Sequence, residues 1–161
     1  MKNDRQHTAI HEAGHAVIGR VLGLPSGATT IRPDGDSAGH GIVPDPYAIQ
    51  DRWELEGKHR EFATVMRARI LSYMAGREAE KECLGICAGG DDNDRYQIDL
   101  MLADILQPGS DAARVERRMR LMARQLVRQH RVKIERVAAL LLKCGELSAE
   151  QIDVAMKQDD L

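Results

Sequence analysis

The segment AIHEAGHAV at residues 9–17 decides the fold of the chain around it. Apolar residues recur here every three or four positions, a repeat typical of one buried helix face. The residues on this predicted face are Ile10, Ala13, Val17 and Val21. Asn3 or Asp4 can cap the helix, and Gly23 predicts its end at about Leu22. We therefore expect the chain to begin with an amphipathic helix.

This helix carries two histidines one turn apart. His11 and His15 project from the same face, where both imidazoles can reach one Zn²⁺ at about 2.0–2.1 Å. Glu12 is placed to reach a metal-bound water without ligating the metal itself. Gly14 lies in mid-helix at a cost of ~1 kcal/mol relative to alanine, which indicates close approach by another backbone or a substrate. We therefore predict a zinc site, against the alternative of a surface helix with two solvated histidines.

A catalytic zinc needs a third protein ligand, and residue chemistry leaves several candidates. Carboxylates in a first helical turn are oriented by free backbone N–H groups, which favours the acidic cluster after Gly90. Spacing alone does not choose among the candidates, which are His40, His59, His130, Glu80, Asp91, Asp92 and Asp94.

Beyond the first helix, the sequence predicts one small β element and further helices. Two extended runs, residues 28–32 and 39–43, flank a turn at residues 33–36. The first predicted helix of this group is long and runs from about Trp53 or later to Cys83, before Gly85. The others run from the turn at residues 89–93 through Ile105, from a Ser110 cap to about Gln129, from Val132 to Cys144 before Gly145, and from a Ser148 cap with Gln151 in a capping box. The fold class is therefore mainly α, a single domain over residues 1–161, with a β hairpin or small sheet inserted after the first helix.

Composition argues against nucleic acid as a partner. The 161 residues carry a net charge of −2, from 23 Lys and Arg against 25 Asp and Glu, and only 3% of them are aromatic. Neither electrostatic attraction to phosphates nor a base-stacking platform is indicated. We interpret one arginine stripe as a solvated helix face opposite an apolar stripe. Its members are Arg117, Arg120, Arg124, Arg128 and Arg131.

The patterns of export and membrane insertion are absent from the sequence. Residues 1–7 lack the apolar core of a signal peptide, and no apolar run approaches the ~18 residues of a membrane span. Cys83, Cys87 and Cys144 are odd in number, which is typical of reduced thiols rather than a disulfide framework. We therefore expect a cytoplasmic protein with no membrane partner.

Five groups of residues, taken in chain order, form a pattern more specific than the histidine pair alone. They are residues 9–16, residues 29–33 with 39–41, residues 75–80, residues 90–94, and residues 137–142 with 145–147 and 151–152. Together they resemble the protease domain of FtsH-type AAA+ zinc metalloproteases over nearly the whole chain. The resemblance implies the helical fold of that domain and Zn²⁺ as the cofactor.

By position, the resemblance also implies roles for individual residues. His11, His15 and Asp94 correspond to zinc ligands, and Glu12 corresponds to the general base. Glu80 corresponds to a residue beside the ligands rather than to a ligand. Three further residues are candidate helpers in substrate or oxyanion contacts, against an ordinary role at the surface or in packing: His40, His59 and Tyr47.

The sequence departs from the family in two respects. It contains no phosphate-binding Gly-x-x-x-x-Gly-Lys-Ser/Thr motif and no membrane anchor. We therefore expect a stand-alone zinc peptidase that cleaves peptides or unfolded polypeptides, with residues 39–43 as an edge strand for the incoming chain. The alternative is a protease-derived, zinc-binding interaction module without turnover. A homo-oligomer and a separate ATPase partner both stay open.

Overall fold

The computed structural model describes residues 2–33, 39–41, 46–57 and 62–158. This part of the chain is mainly helical, as predicted. Its helices are α1 (Lys2–Val21), α2 (Pro46–Leu55), α3 (Phe62–Leu84), α4 (Asp92–Ile105), α5 (Ala112–Gln129), α6 (Arg131–Cys144) and α7 (Ala149–Lys157). None of these helices combines the length and the apolar character that crossing a membrane requires.

Helix α1 packs mainly against α3 and α6. Ile10, Ala13 and Val17 are buried on its inner side, as the apolar repeat predicts, while Val21 is half-buried at its end. Gly23 follows with a φ of +77°, which confirms the predicted stop. The predicted cap is wrong, because the helix already begins at Lys2 and Asp4 lies in its first turn.

The crossing of α1 and α3 depends on Gly14. A Cβ atom at this position would lie 2.7 Å from the Ala75 carbonyl oxygen and 2.9 Å from the Ala79 Cβ. The two helices therefore touch at backbone level, which confirms the close approach that a mid-helix glycine indicated. This contact sets the histidine-bearing part of α1 directly against α3.

We expect Gly14→Ala to destabilise the protein although alanine is the better helix former. The added methyl group forces the two backbones apart, and overpacking of this kind lowers the free energy of unfolding by about 1–3 kcal/mol. That loss exceeds the gain of ~1 kcal/mol in helix propensity. Urea unfolding followed by circular dichroism measures the difference. An unchanged or increased free energy of unfolding would show that α3 adjusts without strain.

The β element is a three-stranded antiparallel sheet in the order β2-β1-β3. Its strands are β1 (Thr29–Thr30), β2 (His40–Gly41) and β3 (Glu146–Leu147). The β1–β2 pair confirms the predicted hairpin, although both strands are shorter than expected and residues 34–38 and 42–45 lie outside the described part. The sequence did not predict β3, because it pairs with a strand more than a hundred residues away.

One helix was not predicted from the sequence. Residues 46–55 form α2, which contains Trp53, and the long helix starts later, as the prediction allowed. Pro46 occupies the first helical position, where its fixed φ is favourable, and Gly57 follows the helix with a φ of +73°. Trp53 packs with Ile49 and Val65 in a separate small core. The long helix α3 begins only at Phe62 and ends before Gly85, as predicted.

The later helix ends agree with the sequence except at one cap. Gly145 is left-handed at the end of α6, and Ser148 forms the predicted capping box with Gln151. Helix α5 is capped by Asp111 rather than Ser110, because the Asp111 carboxylate accepts a hydrogen bond from the backbone N–H of Arg114.

The arginine stripe is only partly solvated, since four of its members join α5 and α6 to carboxylates. Arg124 Nε donates to the buried Glu78 carboxylate at 3.2 Å, and Arg128 Nε donates to Glu82 at 3.0 Å. Arg120 and Arg131 have ion pairs as well. Glu78 and Glu82 both belong to α3, so these contacts dock α5 onto the helix that crosses α1.

Candidate metal centre

Three side chains from two helices meet where α1 crosses α3. His11 Nε2 lies 2.8 Å from Asp94 Oδ2, and His15 Nε2 lies 3.1 Å from the same oxygen. The donor atoms of these three residues all fall within 4.8 Å of one another. Asp94 comes from the first turn of α4, more than 75 residues further along the chain. The structure thus brings together the three residues that the resemblance names as zinc ligands.

Buried acceptors orient both imidazole rings. A carboxylate and a carbonyl oxygen can only accept hydrogen bonds, so the ring nitrogen facing each of them carries a proton. His11 Nδ1 donates to Glu80 Oε1 at 2.7 Å, and His15 Nδ1 donates to the Ser72 carbonyl at 2.8 Å. In both rings Nε2 is the nitrogen directed at Asp94. Holding one ring nitrogen in this way is how proteins prepare histidine as a metal ligand.

Glu80 is the centre of a buried hydrogen-bond network. Its side chain is 2% exposed and accepts from His11 and from His7 Nδ1, the latter at 2.8 Å. The backbone N–H of Ala88 donates to the same carboxylate at 2.9 Å. Glu80 therefore lies beside the ligands and contacts one of them. Sequence reasoning missed His7, although its position four residues before His11 places it on the same helix face.

The imidazoles fit against α3 because residue 76 is glycine. A Cβ atom there would lie 2.5 Å from His15 Cε1 and 2.8 Å from His11 Nε2. Since real side chains do not approach this closely, only glycine leaves room for both rings. Gly76 thus forms a cradle in α3 for the metal-facing edges of His11 and His15.

A second ion pair holds the start of α4. Arg77 Nη1 donates to Asp91 Oδ2 at 3.1 Å. The preceding turn contains Gly89 and Gly90, both with positive φ, a conformation that favours glycine. This turn delivers Asp94 to the histidines. Asp91, a candidate ligand by chemistry alone, instead pairs with Arg77.

Two of the remaining candidate ligands, Asp92 and His130, lie apart from this group. Asp92 is exposed in the first turn of α4, and His130 lies at the junction of α5 and α6. The side chains of His40 and Tyr47 and all of His59 fall outside the described part of the chain. Nothing is therefore added to the predictions made for those three residues.

A cavity of about 540 Å³ opens beside the three side chains. His11, Glu12 and Asp94 line it, together with His7 and Gly39. Glu12 is buried, and a Cβ atom at Gly39 would lie 3.0 Å from Glu12 Cγ. The carboxylate that the resemblance names as general base therefore borders a space large enough for a segment of peptide.

The charges in the cluster are strongly coupled. Burial opposes the charged form of His11, but hydrogen bonds with Asp94 and Glu80 outweigh it and raise the pKa of this imidazole to about 10. Burial also opposes the charged form of Asp94, yet hydrogen bonds from His11 and His15 lower the pKa of its carboxyl. Asp94 is therefore a carboxylate that attracts positive charge to the two Nε2 atoms.

The donor set fits a zinc ion on these observations. Two imidazole nitrogens and one carboxylate oxygen are ligands that Zn²⁺ accepts, and three protein ligands leave a position open for water or substrate. The negative charge of Asp94 favours a cation at the two Nε2 atoms, and glycine at position 76 leaves room for both rings to face Asp94. His11, His15 and Asp94 are the residues that could hold it.

We expect Glu80→Gln to weaken zinc binding by about 10–100-fold, the usual effect of changing a residue that orients a ligand. The two oxygens of the Glu80 carboxylate accept hydrogen bonds from His7, His11 and the Ala88 N–H. Glutamine has only one accepting oxygen, so its NH₂ group would face at least one of these donors. Competition with a chromophoric chelator measures zinc affinity, and Glu82→Gln, on the side of α3 that faces α5, is the matched control. Equal affinities for the two variants would contradict a supporting role for Glu80.

The chain is similar in sequence to curated zinc metalloproteases. It is 31% identical over 99 residues to the ATP-dependent zinc metalloprotease FtsH of Thermobaculum terrenum, an alignment covering 60% of this chain and 14% of that protein. It is 27% identical over 193 aligned positions to the ATP-dependent zinc metalloprotease FtsH 4 of Sorangium cellulosum, covering 93% of this chain and 28% of that protein. No protein-family model matches the chain.

A further relative, the ATP-dependent zinc metalloprotease FtsH 2 of Alkaliphilus metalliredigens, is 31% identical over 99 residues, or 60% of this chain and 13% of that protein. The chain is thus weakly homologous to FtsH zinc metalloproteases and spans 13–28% of the length of these relatives.

Proposed function

We propose that this chain is a zinc-dependent peptidase whose metal is held by His11, His15 and Asp94. The observation that carries the proposal is the convergence of both Nε2 atoms on one Asp94 oxygen, with each Nδ1 atom committed to a buried acceptor. The homology to zinc metalloproteases supports the same chemistry at the level of the family.

Glu12 is the residue we assign to proton transfer. Zinc bound at this centre would supply Lewis-acid polarisation of a peptide carbonyl and activation of a water molecule. The Glu12 carboxylate, which borders the same cavity as His11 and Asp94, would accept the proton of the attacking water and return it to the departing amine. A buried carboxylate is suited to both steps, since low solvent access keeps bulk water from competing for the proton.

The substrate we propose is a peptide or an unfolded polypeptide. Among the described strands, β2 pairs with β1 on one side and lies at the edge of the sheet, near the cavity that Gly39 lines. An extended chain can add to such an edge through main-chain hydrogen bonds. Recognition through the main chain favours unfolded segments over folded proteins.

Zinc analysis and casein cleavage on the same preparation test the proposal. We expect about one zinc per chain and cleavage of unfolded casein that stops with 1,10-phenanthroline and returns with added zinc. Cleavage is to be measured with and without ATP, because the relatives are named as ATP-dependent. Bound zinc without cleavage would instead support the non-catalytic zinc-binding module, and a chain without zinc affinity would contradict both.

Zinc affinity should increase with pH. The His11 pKa of about 10 in the folded, metal-free protein exceeds its ordinary value of 6.5, so protonation stabilises that form fully below about pH 6.5 and less as the pH rises toward 10. Zinc must displace this proton. For each proton displaced, the apparent affinity for zinc increases about tenfold per unit increase in pH. Melting curves with and without zinc between about pH 6 and 8.5 should show a growing zinc-induced increase in Tm. A constant increase would contradict proton displacement.

A further inference from the structure

A second, much smaller cavity adjoins the metal centre. Glu12 and His15 form one wall of this recess, so it is separated from the large cavity by the proposed general base. Its volume is about 20 Å³, enough for one water molecule or a methyl group, against about 540 Å³ on the other side. The space around the proposed reaction centre is therefore strongly asymmetric.

Small side chains and a rigid floor set the size of the recess. A Cβ atom at Gly19 would lie 3.2 Å from Ser72 Oγ, so even one added methyl group would narrow the opening. Leu24 forms part of the lining and is buried in the core cluster that contains Trp53. Thr29 belongs to β1 and is also buried. Because core packing fixes Leu24 and Thr29, the recess cannot widen on their side without disturbing the fold.

Apart from Glu12 and His15, those residues of the described part that line the recess are uncharged. Its surface is mostly apolar, with hydroxyl groups from Ser26, Thr29 and Ser72. Gly41, at the edge strand β2, lies at its rim. A peptide added along β2 would alternate its side chains between the two faces of the sheet. One of them would then face the recess while the chain passes the metal centre.

We propose that this recess selects a small, uncharged substrate residue, such as alanine or serine, on one side of the scissile bond, while the large cavity accepts bulky residues on the other side. The proposal rests on the proposed function, because it assumes that substrate binds across the metal centre. It adds a restriction on substrate class and assigns Gly19 and Ser72 as the residues that set it.

Two series of zinc-binding hydroxamates test the size limit without relying on turnover. Amino-acid hydroxamates carry their side chain on the amino-terminal side of the metal-binding group, and substituted succinyl hydroxamates carry it on the carboxyl-terminal side. Calorimetry on the zinc-loaded protein compares hydrogen, methyl, hydroxymethyl, isobutyl and benzyl substituents in each series. We expect affinity to fall at least tenfold from methyl to benzyl in one series and not to fall in the other.

Two substitutions link the size limit to the recess. Gly19→Ala should weaken binding of the methyl probe at least fivefold relative to the hydrogen probe in the selective series. Ser72→Ala removes a hydroxyl group from the wall and leaves the backbone carbonyl that accepts a hydrogen bond from His15. This variant should reduce the difference in affinity between the methyl and isobutyl probes. Leu100→Ala, on the exposed side of α4, is the control and should leave the ranking unchanged. Zinc content and Tm of each variant verify that it is folded and loaded.

The possible failures are distinguishable. Tight binding of both series without dependence on size, or a preference for benzyl in both, would overturn the recess proposal and leave the metal centre intact. A ranking that Gly19→Ala and Ser72→Ala do not alter would also overturn it. Absence of binding by any hydroxamate to a chain that holds zinc would overturn the proposed peptidase function, and the recess proposal with it.

Discussion

The Glu12→Gln variant should bind zinc like the wild type and cleave unfolded casein at least a hundredfold more slowly. An amide keeps the size of the carboxylate but cannot accept a proton from water, and loss of a general base typically reduces the rate by about 10²–10⁴. Glu12 is absent from the group of donor atoms around Asp94, so the ligands themselves are unchanged. Initial rates of fluorescent casein cleavage and zinc content of the same samples measure the two effects separately.

The matched control for this variant is Glu82→Gln. Glu82 makes ion pairs with Arg128 and Arg131, whose side chains are exposed, and solvent-screened pairs of this kind contribute about 0–1 kcal/mol. We expect it to retain both zinc and activity. Wild-type activity in Glu12→Gln would remove Glu12 from the mechanism, whereas loss of zinc from Glu12→Gln would show that this residue supports the metal.

The Gly76→Ala variant should lose zinc affinity at least a hundredfold while it keeps a folded helix α3. The new Cβ would lie within 2.5 Å of His15 Cε1 and 2.8 Å of His11 Nε2, so at least one ring must leave its position. Displacement of one of three ligands weakens zinc binding strongly. The change in helix propensity does not oppose a folded α3, because it favours alanine by ~1 kcal/mol. Chelator competition gives the zinc affinity, and circular dichroism gives the helix content.

A second glycine on the same helix interface provides the control. Gly19→Ala also adds a methyl group between α1 and α3, but its nearest neighbour is Ser72 Oγ rather than an imidazole. Its zinc affinity should stay within about threefold of the wild-type value, which is a difference of less than about 1 kcal/mol in binding free energy. Equal loss of zinc in both variants would indicate a general shift of the two helices rather than a specific cradle at Gly76.

Several local features could be predicted from the sequence because they depend on neighbours in the chain. The 3.6-residue period placed His11 and His15 on one face, and glycines at positions 85 and 145 marked two helix ends. The capping box at Ser148 is equally local. Errors arose where two local signals competed. Ser110 and Asp111 are both good caps, and the helix signal within residues 46–55 was too weak to predict α2.

Features that join distant segments could not be predicted in this way. Strand β3 follows α6, which packs against α1, and this packing brings β3 beside β1. No periodicity within either two-residue strand predicts the pairing. His7 became part of the site because Glu80, 73 positions away, lies between it and His11. The contrast between Asp91 and Asp94 has the same origin, since Arg77 on α3 engages the first of them.

The sequence by itself determined that two imidazoles and a carboxylate stand together on one turn of a helix, because that arrangement requires only the geometry of an α-helix. Only the tertiary structure decided which nitrogen of each ring faces the centre, how Asp94, which the resemblance names, reaches both rings, and how much space lies on each side of Glu12. These properties depend on how α3 and α4 dock against α1. Such docking is controlled by close contacts at Gly14 and Gly76, between residues far apart in the chain.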